Sequence, residues 1–395
     1  MKLLSIFGTR PEAIKMAPLV HSLKHAPDVE SIVCVTGQHS TMLQQVMDLF
    51  RIEAAYDLSL MAPNQSLNGL SSKLLASIDP VLEQVRPDGV LVHGDTTTAI
   101  AAALASFHRR IPVFHVEAGL RTGDMSQPWP EEMNRRVIDS VSDVLFAPTQ
   151  SSRHNLEREH LGGTIHVTGN TVIDALRLID HRIREDRALC ARLDAAFSFL
   201  DPQRKLLLVT GHRRENFGAG FENVCSALAS LARRADIQIV YPVHLNPNVQ
   251  QPVKALLSGY ENVHLIAPQD YLYFVRLMQR AYLILTDSGG VQEEAPYLGK
   301  PVLVMRDVTE RPEAVAAGTV QIVGTQTARI VDAVNDLYDQ PDLWRTFAHR
   351  VNPYGDGYAS ERIVAAIRGQ AFEEFSPSAQ PTLRRIVEPD TNTFS

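Results

Sequence analysis

Short runs of apolar residues recur along this chain, and each ends in glycine, proline or a charged side chain just before a stretch with helical spacing. Lys2–Phe7 breaks at Gly8-Thr9-Arg10-Pro11, Gly89–Val92 at His93-Gly94-Asp95-Thr96, and Val113–Val116 at Glu117-Ala118-Gly119. Ile32–Thr36, Val144–Ala147 and Ile165–Thr168 follow the same rule. Apolar runs this short, alternating with helices, describe parallel strands buried on both faces, because parallel neighbours need a crossover and the crossover helix covers the sheet. The pattern pauses near residue 170, passes the charged stretch Arg182–Arg192, and restarts at Lys205–Thr210. Ile237–Tyr241, Val263–Ile266, Tyr282–Thr286, Pro301–Met305 and Val320–Val323 continue it. A chain of 395 residues exceeds one ordinary core. The expected fold class is therefore α/β, with two doubly wound domains in tandem. The first spans 1–170 and the second 171–369, with a last helix, Tyr358–Arg368, returning to the first domain. Residues 370–395, where proline, serine and threonine are frequent, read as a disordered tail. A cleft between the two domains is where a ligand is expected.

In such sheets ligands approach the carboxyl ends of the strands, so the turns carry the chemistry. The fullest turn is Asp287-Ser288-Gly289-Gly290, followed by a short helix and another buried strand. Its two glycines let a ligand near the backbone, and the helix start offers unpaired N–H groups and a positive dipole end suited to phosphate. Glu294, one turn on, can accept ribose hydroxyls, and Arg311 follows the next strand. A nucleoside diphosphate would use the whole set; the plainer alternative is a tight loop with a solvated acidic helix. In the first half, Arg10 and Lys15 follow the first strand, while Asp95, Glu117 and Glu131 lie at or just after strand ends. Neighbouring carboxyls push their pKa values apart, which yields an acid and a base from one residue type. Against this, Asp95 would make an ordinary helix cap, and Glu131 and Glu132 ordinary first-turn acids. His212 stands beside Arg213 and Arg214 at a strand end, and His244 at another.

Other classes are disfavoured. No G-x-G-x-x-G follows a strand, so no dinucleotide cofactor is expected, and no His, Cys and carboxylate set has metal spacing. Cys34, Cys190 and Cys225 are far apart among apolar or helical neighbours, reading as reduced packing residues. The net charge of −7 speaks against nucleic acid as a partner. No run is long enough to span a membrane and the N-terminus shows no signal pattern, so the expected location is cytoplasmic.

Taken together, FGTRPEAIKMAPL, HGDTTT, HVEAGLRTGD with PWPEEMNR, TGHRREN, PVHLNPNV, TDSGGVQEEAP and RPEAV closely resemble the non-hydrolysing UDP-N-acetylglucosamine 2-epimerases, from residue 1 to about 369. The resemblance implies two Rossmann-like domains of the glycosyltransferase-B type around a closing cleft. It also implies a homodimer, and interconversion of UDP-GlcNAc and UDP-ManNAc without a cofactor, supplying ManNAc units for surface polysaccharide. Carried over residue by residue, it makes Arg10, Lys15, Asp95, Glu117, His212, Gln269, Phe274, Ser288, Gly289, Gly290, Glu294 and Arg311 substrate contacts. Asp95, Glu117 and Glu131 become the acids and bases, with His212 in the catalytic set. One departure lies at Gln38-His39-Ser40-Thr41, where relatives commonly carry a longer charged or amide side chain at position 40 or 41. Some bacterial members bind a second, activating UDP-GlcNAc on that surface, and both an activated and an unactivated enzyme are compatible with these residues.

The chemistry agrees. Carbon 2 of the sugar has no adjacent carbonyl, so either a neighbouring carbon is oxidised or the anomeric bond to UDP breaks first. Without a dinucleotide fingerprint the second route is favoured, through 2-acetamidoglucal and UDP. A glycosyltransferase would share the UDP site but need an acceptor groove, for which no motif is seen. A hydrolysing epimerase would differ only in admitting water. A non-catalytic sugar-nucleotide sensor would not need three carboxylates beside the sugar.

Overall fold

The computed structural model describes residues 1–37, 41–60, 62, 65–211, 213, 216–244 and 246–377. The chain divides into two compact units: Met1–Ile179 with Tyr354–Ser376, and Asp180–Pro353.

In the first unit seven strands are all parallel: β1 (Lys2–Phe7), β2 (Glu30–Val35), β3 (Tyr56–Asp57), β4 (Gly89–His93), β5 (Val113–Val116), β6 (Val144–Ala147) and β7 (Thr164–Val167). Their order across the sheet is β3-β2-β1-β4-β5-β6-β7. The chain direction across the sheet reverses between β1 and β4, the point at which sheets of this kind place their ligands. Gly8 leaves β1 so close to the hydroxyls of Thr36 and Thr98, themselves 2.8 Å apart, that a Cβ there would stand 2.2 Å from the Thr36 oxygen. Only glycine fits.

The second unit repeats the plan with six parallel strands: β8 (Lys205–Thr210), β9 (Ile237–Pro242), β10 (Val263–Ile266), β11 (Leu283–Thr286), β12 (Val302–Val304) and β13 (Val320–Ile322). The order is β10-β9-β8-β11-β12-β13, so its reversal lies between β8 and β11. Both sheets carry their cores on helix-covered faces. Leu4, Ile6, Val90 and Val92 pack on the helices Leu67–Val85 and Thr97–His108 in the first unit, and Leu207, Val209, Leu283 and Leu285 lie in the core of the second.

Two expected boundaries change. The second unit does not begin at 171: the helix Thr171–Glu185 gives its first part to the first unit, where Val172, Ile173, Leu176 and Ile179 are at most 3% exposed. The stretch after 369 is not disordered throughout. Phe375 is 2% exposed against Ala118, Leu145, Leu156 and Val167, and its N–H donates to the Val167 carbonyl at 2.9 Å. Glu374 accepts from the Val167 N–H and pairs with Arg153. One well-placed aromatic outweighs a composition that, averaged over the tail, looks unable to bury anything. Residues 378–395 lie outside the described residues. Among the described residues no helix is long and apolar enough to cross a membrane.

Candidate active site

The turns at the β1/β4 reversal are tied together by Glu12. Thr9 caps the helix Arg10–His25 in a capping box, so the Glu12 carboxylate turns back to accept the N–H groups of Gly8 and Thr9 at 3.0 and 2.7 Å. Its other oxygen accepts the Thr96 hydroxyl at 2.6 Å, joining β1 to β4. Burial raises the Glu12 carboxyl above its ordinary value, with these bonds pulling the other way. The same helix carries Arg10 in its first turn and Lys15 one turn further on.

Lys15 reaches past β4 to the turn that follows β5. Its Nζ lies 2.5 Å from Glu117 Oε1, which also accepts from Asn170 Nδ2 at 2.8 Å, and Glu117 Oε2 is 3.4 Å from His93 Nε2. Burial holds the His93 ring neutral, its pKa pushed down to about 3 despite Glu117 beside it. Glu117 sits at φ +70°, in the left-handed region that a side chain with a Cβ rarely adopts. Such strain persists only where the surroundings impose it, and it gathers at functional sites.

Asp95 is not the helix cap that its sequence context allows. Thr96 takes that role, its hydroxyl oxygen accepting the Ala99 N–H at 3.0 Å. Asp95 pairs instead with Arg135 at 2.9 Å, and Asn134 Nδ2 donates to its carbonyl. Loss of water raises the Asp95 carboxyl; Arg135 and Lys15 lower it, and the fields of Glu117 and Glu131 raise it further. Asp95 therefore feels both of the other carboxyls foreseen from sequence.

Glu131 and Glu132, adjacent in the first turn of the helix Glu131–Val141, differ sharply. Glu132 is fully buried, accepts the N–H groups of Thr122 and Gly123 at 3.0 and 3.3 Å, and pairs with Arg136. It holds the preceding loop. Glu131 Oε2 is buried without a protein partner, a costly state that a substrate hydroxyl or amide would relieve.

In the second unit the β8/β11 reversal assembles a different surface. Asp287, fully buried, accepts the Arg213 N–H at 2.8 Å, and Tyr241 donates to the Gly211 carbonyl at 2.7 Å. Both turns are thereby fixed. The helix Gly289–Tyr297 follows with no side-chain cap at Ser288, leaving its first N–H groups for another acceptor. A Cβ on Gly289 would lie 3.8 Å from Arg311 Nη2 and 3.9 Å from Arg213 Nη2, so two guanidinium groups face this turn. Arg311 is steered by the buried Glu293, and Glu294 accepts the Tyr271 hydroxyl at 2.7 Å. Cations beside an uncapped helix start suit a diphosphate. Gln269 donates to Ala267 O at 2.7 Å, and Phe274 is half-buried on the helix Tyr271–Arg280.

Arg10, Lys15, Asp95, Glu117 and Glu131 thus belong to the first unit, while Gln269, Phe274, Ser288, Gly289, Gly290, Glu294 and Arg311 belong to the second. His212, expected in the catalytic set, lies outside the described residues. Sequence reasoning passed over Arg135, Asn134, His93 and Asn170, and did not single out Arg213 from its cationic run. Asn134 and Arg135 stand three and four residues after Glu131, a spacing that puts them one helical turn away, and this signal was there to use. Among the described residues no cluster of His, Cys, Asp and Glu is arranged to hold a metal ion. Cys34, Cys190 and Cys225 are free thiols; burial raises those of Cys34 and Cys225 to about 12.

Comparison with known proteins agrees with this geometry. The family model described as UDP-N-acetylglucosamine 2-epimerase matches residues 21–368. The UDP-N-acetylglucosamine 2-epimerase of Yersinia pestis is 57% identical over 370 residues, covering 93% of this chain and 98% of that protein. That of Escherichia coli K12 is 56% identical over the same length and with the same coverage. The crystal structure of the Neisseria meningitidis UDP-GlcNAc 2-epimerase bound to UDP-GlcNAc superposes with a TM-score of 0.89 at 50% identity, covering 94% of this chain and all of that one. A family model that spans most of the chain, and relatives more than half identical over nearly its whole length, decide the matter: the chain belongs to the UDP-N-acetylglucosamine 2-epimerase family.

Proposed function

We propose that this chain interconverts UDP-GlcNAc and UDP-ManNAc by eliminating UDP and adding it back, so supplying ManNAc units for surface polysaccharide. The observation that carries this reading is the cluster of Asp95, Glu117 and Glu131 around Lys15 and Arg135 at the β1/β4 reversal. Binding alone needs no such cluster.

The steps follow from the environments. Glu117, paired with Lys15, is the base that takes the proton from carbon 2. It does so as the bond from carbon 1 to the diphosphate oxygen breaks with its pair leaving on UDP: the positive charge developing at carbon 1 acidifies the carbon 2 proton, and the freed C–H pair forms the carbon 1–carbon 2 double bond. Asp95, raised by desolvation, is the acid that returns a proton to carbon 2 from the opposite face, while the diphosphate oxygen re-forms its bond to carbon 1. Glu131, with an unpartnered oxygen, holds the sugar or exchanges protons with these two. Charge developing on the departing diphosphate is met by Arg10, Arg311 and His212, and by the N–H groups at Gly289 and Gly290. No redox cofactor or metal enters this scheme. A homodimer is expected, which light scattering tests, and a sigmoidal dependence of rate on UDP-GlcNAc would reveal a second, activating molecule; Gln38, His39 and Ser40, where that question arises, lie outside the described residues.

Incubation with UDP-GlcNAc in D₂O tests the reading. UDP-ManNAc carrying deuterium at carbon 2 is expected. Free ManNAc with UDP would indicate a hydrolysing enzyme, and product that keeps its original proton would return the argument to oxidation of a neighbouring carbon.

A further inference from the structure

Glu117 leaves β5 at φ +70°, a conformation that a residue with a Cβ adopts only when something holds it. The holder stands on the helix Glu131–Val141. Asp139 Oδ1 lies 2.5 Å from His115 Nδ1, two residues before Glu117, and Asp139 Oδ2 accepts the Gly119 N–H at 3.3 Å, two residues after it. A single carboxylate therefore grips the chain on both sides of the strained residue. The other ring nitrogen of His115 is 2.7 Å from the carbonyl of Gly94, the residue before Asp95. Arg121 Nη2 also reaches Asp139 Oδ2, at 2.7 Å. The result is an imidazole ring clamped between the Asp95 turn and Asp139, with His115 and Asp139 both at most 1% exposed. Arg121 continues to Glu159, which closes the charge balance near the surface.

Buried ion pairs are weak evidence for stability, because desolvation cancels most of their attraction. What this one supplies is position. We propose that Asp139 is a positioning residue for the epimerisation: acting with His115, it holds the backbone of Glu117 left-handed and thereby aims the base. This rests on the reading of Glu117 as that base.

Asp139→Asn in the full-length protein tests it. The expected result is a kcat lower by about 10²-fold, the usual cost of a misplaced catalytic group, with KM for UDP-GlcNAc and Kd for UDP within about threefold of the parent. Combined with Glu117→Gln, the same substitution should cost no more than about twofold further, because it acts only through Glu117. Glu159→Gln, which loosens only the outer pair, should leave kcat unchanged. A kcat for Asp139→Asn within about threefold of the parent overturns the proposal, as does an equal loss in the Glu117→Gln background. Where Asp139→Asn does not fold, His115→Asn removes one grip while sparing those on Gly119 and Arg121, and takes its place in the same cycle. If the parent itself leaves UDP-GlcNAc unchanged, the functional reading fails. The positioning claim is then decided by the crystal structure of the variant, in which Glu117 is expected to leave the left-handed region; retention of φ near +70° overturns it.

Discussion

At the scale of single residues, the three carboxyls separate chemistry from scaffolding. Asp95→Asn, Glu117→Gln and Glu131→Gln each keep size and much of the hydrogen bonding while removing the titration. Each variant is expected to fold and bind UDP as the parent does, yet to turn over about 10² to 10⁴ times more slowly. Calorimetry with UDP alongside kcat would show it; unchanged turnover in all three would remove the acid–base scheme. His93 makes a different prediction. Its ring is buried neutral, with a folded pKa of about 3 against 6.5 when exposed. A depressed pKa contributes stability that is present above 6.5 and lost as the pH falls towards 3, since only the unfolded chain takes up the proton. Between pH 7 and 4.5 the parent should therefore lose about 2 to 3 kcal/mol more than His93→Asn. Urea denaturation at the two pH values checks this, and equal losses would mean that the ring is not buried neutral.

Among elements, strand ends were the legible part of the site. Asp95 and Glu117 stand out in sequence because nothing about packing asks for a carboxylate where a buried parallel strand stops. The parts that hold them were not legible, because they come from far away in the chain: Asn170 reaches Glu117 across 53 positions and Lys15 across 102. Periodicity marks which face of a helix is buried, and says nothing about the strand end that a particular Arg or Asn will meet. The capping alternative for Asp95 fails for a local reason, since threonine caps nearly as well and comes next in the chain. A less visible cap is Asp174. From the helix Thr171–Glu185 it accepts the N–H groups of Ala359 and Ser360 at 3.1 and 2.7 Å, fastening the start of the helix Ala359–Ile367. Burial outweighs those two donors and lifts its pKa from 3.8 to about 7. A raised pKa contributes stability that is fully present below 3.8 and lost as the pH climbs to 7, here at most about 4 kcal/mol. Asp174→Asn should flatten stability over this window, as measured by urea denaturation at pH 4.5 and 7.5. Asp174→Ala should also lose about 1 to 3 kcal/mol at pH 5 by orphaning both N–H groups. Parallel pH profiles for the parent and Asp174→Asn would refute the titration.

For the whole molecule, the reaction proposed here divides its tasks between the two units, with proton transfer assigned to the first and the diphosphate to the second. The resemblance to glycosyltransferase-B-type enzymes implies a closing step on ligand binding, and that step is expected in turnover here. The peptide chain passes from one unit to the other at Ile179–Asp180, inside a helix, and again at Pro353–Tyr354. These crossings are where the backbone has to turn if the units move as bodies. Solution scattering should therefore show a smaller radius of gyration with saturating UDP than without it. Arg311→Ala, which removes one of the cations facing Gly289, should abolish the change at the same UDP concentration by weakening binding, while Glu117→Gln should leave it intact because the base takes no part in holding UDP. Superimposable profiles with and without UDP, at a concentration where calorimetry shows the site filled, would mean that the nucleotide does not drive closure. The sugar would then have to supply it, and the same experiment repeated with UDP-GlcNAc on Glu117→Gln would decide that point.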